Sequence, residues 1–152
     1  MKKQFIFIIM ILIIAIIFVT LYFLSYRADQ NEIKKYNLNY EKYQDKTIYG
    51  TDVGSIINFA INNNEMYEIE KSENGKYLDD DIYCVRIEVI IPTQDEEGNI
   101  EENIYDMETI NKLGTDRFVQ NFNLYEFEIK KINYNSKGRV NYIEIQNIET
   151  LN

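Results

Sequence analysis

FIFIIMILIIAIIFVTLYFL, residues 5–24, decides the architecture of this chain. It holds no charged residue, and a helix of about 20 residues rising about 1.5 Å each is roughly 30 Å long, the hydrocarbon thickness of a bilayer. Nothing polar interrupts it before Thr20, so the segment carries no ion path, proton relay or substrate site, and anchorage is its expected role. The apolar core of a cleaved signal peptide is shorter, about 7 to 15 residues, and its exit needs small residues. Here the exit reads Tyr22-Phe23-Leu24-Ser25-Tyr26-Arg27. The expectation is a retained anchor over residues 1–27. The longest later apolar run is Val89-Ile90-Ile91, which makes the protein single-pass.

Orientation rests on flanking charge. Lys2 and Lys3 precede the span, while Arg27, Lys34, Lys35, Lys42 and Lys46 follow it, so the basic bias is nearly balanced. A short basic start before an apolar core is the usual signal-anchor layout. The net charge is −9, and taking away Lys2 and Lys3 leaves about −11 on the rest, which anionic headgroups repel. The C-terminal domain is therefore expected outside the cytoplasm, at the cell membrane.

Residues 28–49 contain no proline, and Ile33, Tyr36, Tyr40 and Tyr43 recur at helical spacing. This predicts that the membrane helix continues as a stalk whose tyrosine stripe packs on its own domain or on a neighbouring helix. Gly50 is expected to end the stalk, with Thr51 or Asp52 capping a second helix from about Asp52 to Asn63. Val53, Ile56, Ile57, Ala60 and Ile61 form its apolar face, and Asn62-Asn63-Asn64 its terminator.

Strand patterns follow. MYEIEK (66–71) alternates and leads into an Asn74-Gly75 turn. Residues 82–91 make the strongest strand, stopped by Pro92, with a return strand around Ile100 to Tyr105. Asp106 and Thr115 are plausible caps of two short helices separated by Gly114. LYEFEIKKINY (124–134) and RVNYIEIQNI (139–148) form a closing hairpin. Strands follow strands without regular βαβ alternation, so residues 50–152 are expected to form a single α+β domain with an antiparallel sheet of four or five strands and short packed helices.

The chain has no histidine, which removes Ser-His-Asp and Cys-His nucleophilic systems and His-ligated zinc at once. No phosphate-binding, dinucleotide-binding or nucleophile-elbow motif occurs. The single cysteine, Cys84, has no disulfide partner and sits in the apolar string IYCVRIEVII, where a small buried residue is expected. An acidic chain whose basic pairs, Lys34-Lys35 and Lys130-Lys131, are isolated has no footprint for nucleic acid. Asp79-Asp80-Asp81 and Asp95-Glu96-Glu97 offer oxygen ligands suited to Ca²⁺, but at no EF-hand spacing and at opposite ends of one strand. No catalytic, cofactor-binding or metal-binding residue is assigned, and no small-molecule substrate is identifiable.

YNLNYEKYQDKTIYGTDVGSIINFAINNN, residues 36–64, resembles a segment of uncharacterised single-pass membrane proteins of low-GC Gram-positive bacteria, clostridia in particular. The resemblance implies a bacterial source and a bitopic α+β protein, without implying an activity. A looser architectural similarity links the layout to type IV pilins and pseudopilins, though no glycine precedes Phe5 and no glutamate lies in the apolar segment. The expected function is non-enzymatic: a membrane-held, extracytoplasmic domain that binds a protein partner or self-associates, through the tyrosine stripe or the second helix. Its alternatives are a pseudopilin-like subunit and an ion-dependent binder or enzyme using the acidic turns.

Overall fold

The structure, a computed structural model, describes residues 2–78, 82–94 and 98–148. The acidic runs at 79–81 and 95–97, read above as possible Ca²⁺ ligands, lie outside the described residues. The chain divides into two compact units, Met1–Lys35 and Tyr36–Asn152.

The first unit belongs to one long helix, α1 (Lys2–Glu41). Its apolar stretch is exposed throughout and is long and apolar enough to cross a membrane. Its threonine hydroxyl is satisfied internally, because Thr20 Oγ1 donates to the Ile16 carbonyl at 2.8 Å. The helix stops at Glu41, short of the stalk end expected before Gly50. Tyr43 and Gln44 donate to the carbonyls of Tyr40 and Glu41, both at 3.0 Å, tightening the chain into turns with Asp45 at a φ of 56°.

The second unit, the head, contains β1 (Ile48–Tyr49), α2 (Gly50–Met66), β2 (Arg86–Gln94), β3 (Ile100–Asp106), α3 (Met107–Leu113), α4 (Thr115–Phe122), β4 (Glu126–Tyr134) and β5 (Val140–Asn147). The class is α+β. The five strands form one sheet in the order β1-β4-β5-β2-β3. Three of its pairings are antiparallel, but β2 and β5 run parallel, with Ile87 opposite Ile143 and Val89 opposite Ile145. The sheet is thus mixed, where an all-antiparallel one was expected. The reason is the connection: α3 and α4 carry the chain from β3 back over the sheet, so β4 starts in the same direction as β3 and its hairpin partner β5 lies alongside β2.

Alternation decides which face of the sheet is covered. Ile87, Val89 and Ile91 of β2 are buried, as are Ile143 and Ile145 of β5. With Val53, Ile56, Ile57 and Ala60 of α2, Met107 and Ile110 of α3 and Phe118 of α4 they form the core. Tyr36 and Tyr40 also belong to it, and Tyr40 is fully buried against Phe59. The tyrosine stripe therefore packs on its own domain, and residues 36–49 are part of the head, not a free stalk.

Helix α2 corrects the expected boundaries at both ends. Gly50 is its first residue, not the stop of the preceding segment, and Asp52 accepts from the Tyr49 backbone N–H at 3.1 Å. A Cβ on Gly50 would lie 2.2 Å from the Phe122 carbonyl oxygen, so glycine is there to let α2 and the end of α4 meet. At the other end Asn63 and Asn64 do not terminate the helix, which runs on to Met66 and absorbs the start of the expected MYEIEK strand. Only an isolated antiparallel bridge, Lys71 to Tyr77, remains of that strand, closed by the expected turn at Gly75, φ 80°. Strand β2 begins at Arg86 and passes through Pro92. The parallel partner β5 ends its pairing at Ile90, so Pro92 has a neighbour only in β3, and its missing N–H interrupts no second ladder.

Gly54 makes the informative control for Gly50, because a Cβ there would meet the Val119 side chain, at 2.5 Å, and no backbone atom. Gly50→Ala should lower stability by about 1 to 3 kcal/mol, because the α4 backbone must move. Gly54→Ala should cost less, since rotation of Val119 and the better helix propensity of alanine, worth about 1 kcal/mol, offset the clash. Thermal denaturation followed by circular dichroism checks the order of the two midpoints.

Candidate functional site

Three clusters in the head gather polar or exposed side chains. The first surrounds Arg139, 4% exposed at the start of β5. Its guanidinium carbon sits 3.4 Å from the ring centre of Tyr36 and 5.3 Å from those of Tyr67 and Tyr83, which stack on each other at 4.1 Å. Nη2 donates to Asn63 Oδ1 at 2.7 Å. Asn63 in turn donates to the Tyr83 carbonyl at 2.8 Å and to Asn64 Oδ1 at 3.1 Å. Asn64 pairs with both backbone groups of Val85, donating at 2.8 Å and accepting at 3.0 Å. Burial pushes the Tyr36 phenol up, against the opposing pulls of Tyr40 and Arg139, so it stays protonated. The cluster joins the end of α2, the approach to β2 and the residues just before β5.

The second is a cleft of about 450 Å³ between the turn at residues 71–77 and α3. Two of the three acids that line it, Asp106 and Glu108, are engaged locally. Asp106 pairs with Lys76 at 2.8 Å and caps α3 by accepting from the Thr109 N–H at 2.7 Å, while Glu108 accepts from the Tyr77 N–H at 3.0 Å. Burial pushes the Asp106 carboxyl up, but the Lys76 and Thr109 hydrogen bonds outweigh it and hold the group below its usual range. The arrangement latches the turn to the helix.

The third is the face of the sheet that the helices leave uncovered, together with the edge strand β3. Across β2 and β5 this face presents Glu88 beside Glu144, with the Tyr142 hydroxyl donating to Glu88 at 2.7 Å and lying 3.4 Å from Glu144. Burial and the two carboxylates push that phenol well above its ordinary value, so it stays protonated and donates a hydrogen bond to the acids. On β3, Ile100 and Ile104 stand 67% and 60% exposed on the same face, with Glu102 between them. Ile104 is opposite the half-buried Ile90 of β2.

Comparison with protein-family models, with curated proteins and with solved structures finds no match to this chain.

The surfaces first expected to make contacts are spent within the head. Tyr36 and Tyr40 are buried, Tyr43 packs against the core, and the apolar face of α2 lies under α3, α4 and the sheet. Cys84 is buried, as its apolar neighbours implied. Among the described residues, no three Cys, Asp or Glu side chains come together as a metal site. The exposed β3 edge was missed. Its signal in the sequence was Ile100 and Ile104 flanking two glutamates, a pattern that does not reveal which strand stands at the sheet margin.

The Asp106 latch has a definite pH signature. A carboxyl held below its unfolded value of 3.8 stabilises the fold fully above that value and loses the contribution as pH falls through the folded one. Asp106→Ala should cost about 1 kcal/mol at pH 7, mostly as the lost helix cap. The gap from the unsubstituted protein should close in chemical denaturation series carried below about pH 4.

Proposed function

We propose that this is a non-enzymatic, single-pass membrane protein whose head lies on the outer side of the cell membrane and acts by binding another protein. The observation that carries the reading is α1: its apolar stretch is unbroken and exposed, and long and apolar enough to cross a membrane. Exposed apolar surface of that length has a stable setting in hydrocarbon. The signal-anchor layout, a short basic start before an apolar core, and the net acidity of the remainder support an outward head. The binding role is supported by the way the head spends its polar groups. Its buried arginine is locked among tyrosines, Asp106 and Glu108 of its cleft are engaged, and the surface left over is a strand edge.

Protease accessibility tests the placement. Added protease should digest the head in intact protoplasts and leave a membrane-protected fragment containing residues 5–24. Digestion only after lysis would put the head in the cytoplasm and overturn the outward reading.

A further inference from the structure

The two margins of the sheet are built differently. At one margin β4 is paired with the two-residue strand β1 at Phe127 and Glu126. Beyond that pair it carries irregularities at Ile129/Lys131 and Asn133/Tyr134, with the exposed Lys130 and Lys131 beside the first. Short covering strands, bulges and lysines are the devices by which proteins stop an edge from recruiting another strand. At the opposite margin β3 has none of them. Its seven residues pair with β2 in one unbroken register from Ile100 opposite Gln94 to Asp106 opposite Glu88. It contains no proline and no lysine, and among the described residues its other side has no strand neighbour.

The side chains along β3 specify what could pair there. Ile100 and Ile104 leave most of their surface in water on the uncovered face. Glu102 stands between them and Glu101 projects on the opposite face, both exposed. Pairing with a second copy of β3 would gather four glutamates within one strand length, which charge repulsion disfavours. Anionic lipid is disfavoured for the same reason. Opposite charge and a period-2 apolar row remain as the complementary pattern.

We propose that β3 is a docking edge for an extended segment of another protein in which apolar and basic residues alternate. Backbone hydrogen bonds to the open side of β3 supply the attachment, and they are independent of sequence. Selectivity comes from apolar side chains covering Ile100 and Ile104 and a basic residue meeting Glu102. This deepens the protein-binding role proposed above and rests on it.

The test uses the full chain in neutral-lipid nanodiscs and a short synthetic peptide alternating lysine and valine, with a glutamate–valine peptide as control. Binding is read by fluorescence anisotropy, and the site by amide hydrogen exchange. The basic peptide should bind and slow exchange at alternate amides of β3, and the acidic one should not. Glu101→Lys with Glu102→Lys, both exposed and remote from the core, should weaken the basic peptide about tenfold. Ile104→Ser should weaken it without the change in salt dependence that the charge reversals cause. Equal binding of both peptides, protection away from β3, or protection in peptide-free nanodiscs of the β3 amides that face away from β2 overturns the proposal. A photo-crosslinker at position 104 in cells separates it from the broader reading. No protein adduct there, alongside adducts from the exposed position 124 in the turn before β4, means that the head binds protein by another surface and that β3 is not the edge used.

Discussion

A guanidinium sealed from water among three tyrosine rings is the constraint around which the head is organised. Removing an arginine from solvent costs several kcal/mol, and among the described residues no carboxylate offsets it. The cost is met by the ring faces of Tyr36, Tyr67 and Tyr83, each cation–π contact contributing up to about 2 kcal/mol when desolvated, and by the charge-assisted bond to Asn63. Nε still lacks a partner. Such a group is tolerable only if everything around it is held still. The Asn63–Asn64 pair does this by tying the end of α2 to the backbone of Tyr83 and Val85, just before β2. Asn37 does it from α1, donating to the Gly138 carbonyl at 2.8 Å and accepting from the Val140 N–H at 2.9 Å. The end of α1, the end of α2, the approach to β2 and the start of β5 therefore meet at one point.

That meeting point explains which parts of the fold were legible in the sequence. The membrane span needs only length and apolarity, both local properties, and residues 5–24 display them. Helices α3 and α4 are bounded by Asp106 and by Gly114 at a φ of 98°, and the β4–β5 hairpin turns at Gly138, φ 79°; each signal lies within a few residues of what it determines. Gly50 misled because its reason is the Phe122 carbonyl, far along the chain. Asn63 and Asn64 misled because their partners are Arg139, Tyr83 and Val85, and helix-terminating propensity is a weak force beside three or four buried hydrogen bonds. The stripe at Tyr36, Tyr40 and Tyr43 was visible as a face, but its destination under Arg139 was not. The parallel pairing of β2 and β5 and the marginal position of β3 are likewise properties of topology, and local alternation is silent on both.

The functional picture follows from where stability is spent. Core, cluster and latch engage the buried charge and Asp106 and Glu108 of the cleft, and one margin of the sheet is guarded by β1, bulges and lysines. What is left is a single unguarded strand carrying two isoleucines and two glutamates, on a chain whose long N-terminal helix is suited to a bilayer.

The central claim is that Tyr36 and Tyr40, at the end of the helix whose apolar stretch is long enough to cross a membrane, are part of the head's core. Thermal unfolding of two soluble pieces, residues 33–152 and 50–152, tests it most directly. The longer piece retains Tyr36, Asn37 and Tyr40 and should melt in one cooperative transition. The shorter exposes Arg139 and leaves a cavity where Tyr40 stood, a loss of the size that costs about 3 to 5 kcal/mol for one buried aromatic alone, and should show no cooperative transition. Two pieces melting at the same midpoint would contradict the account and return residues 36–49 to the status of a free stalk.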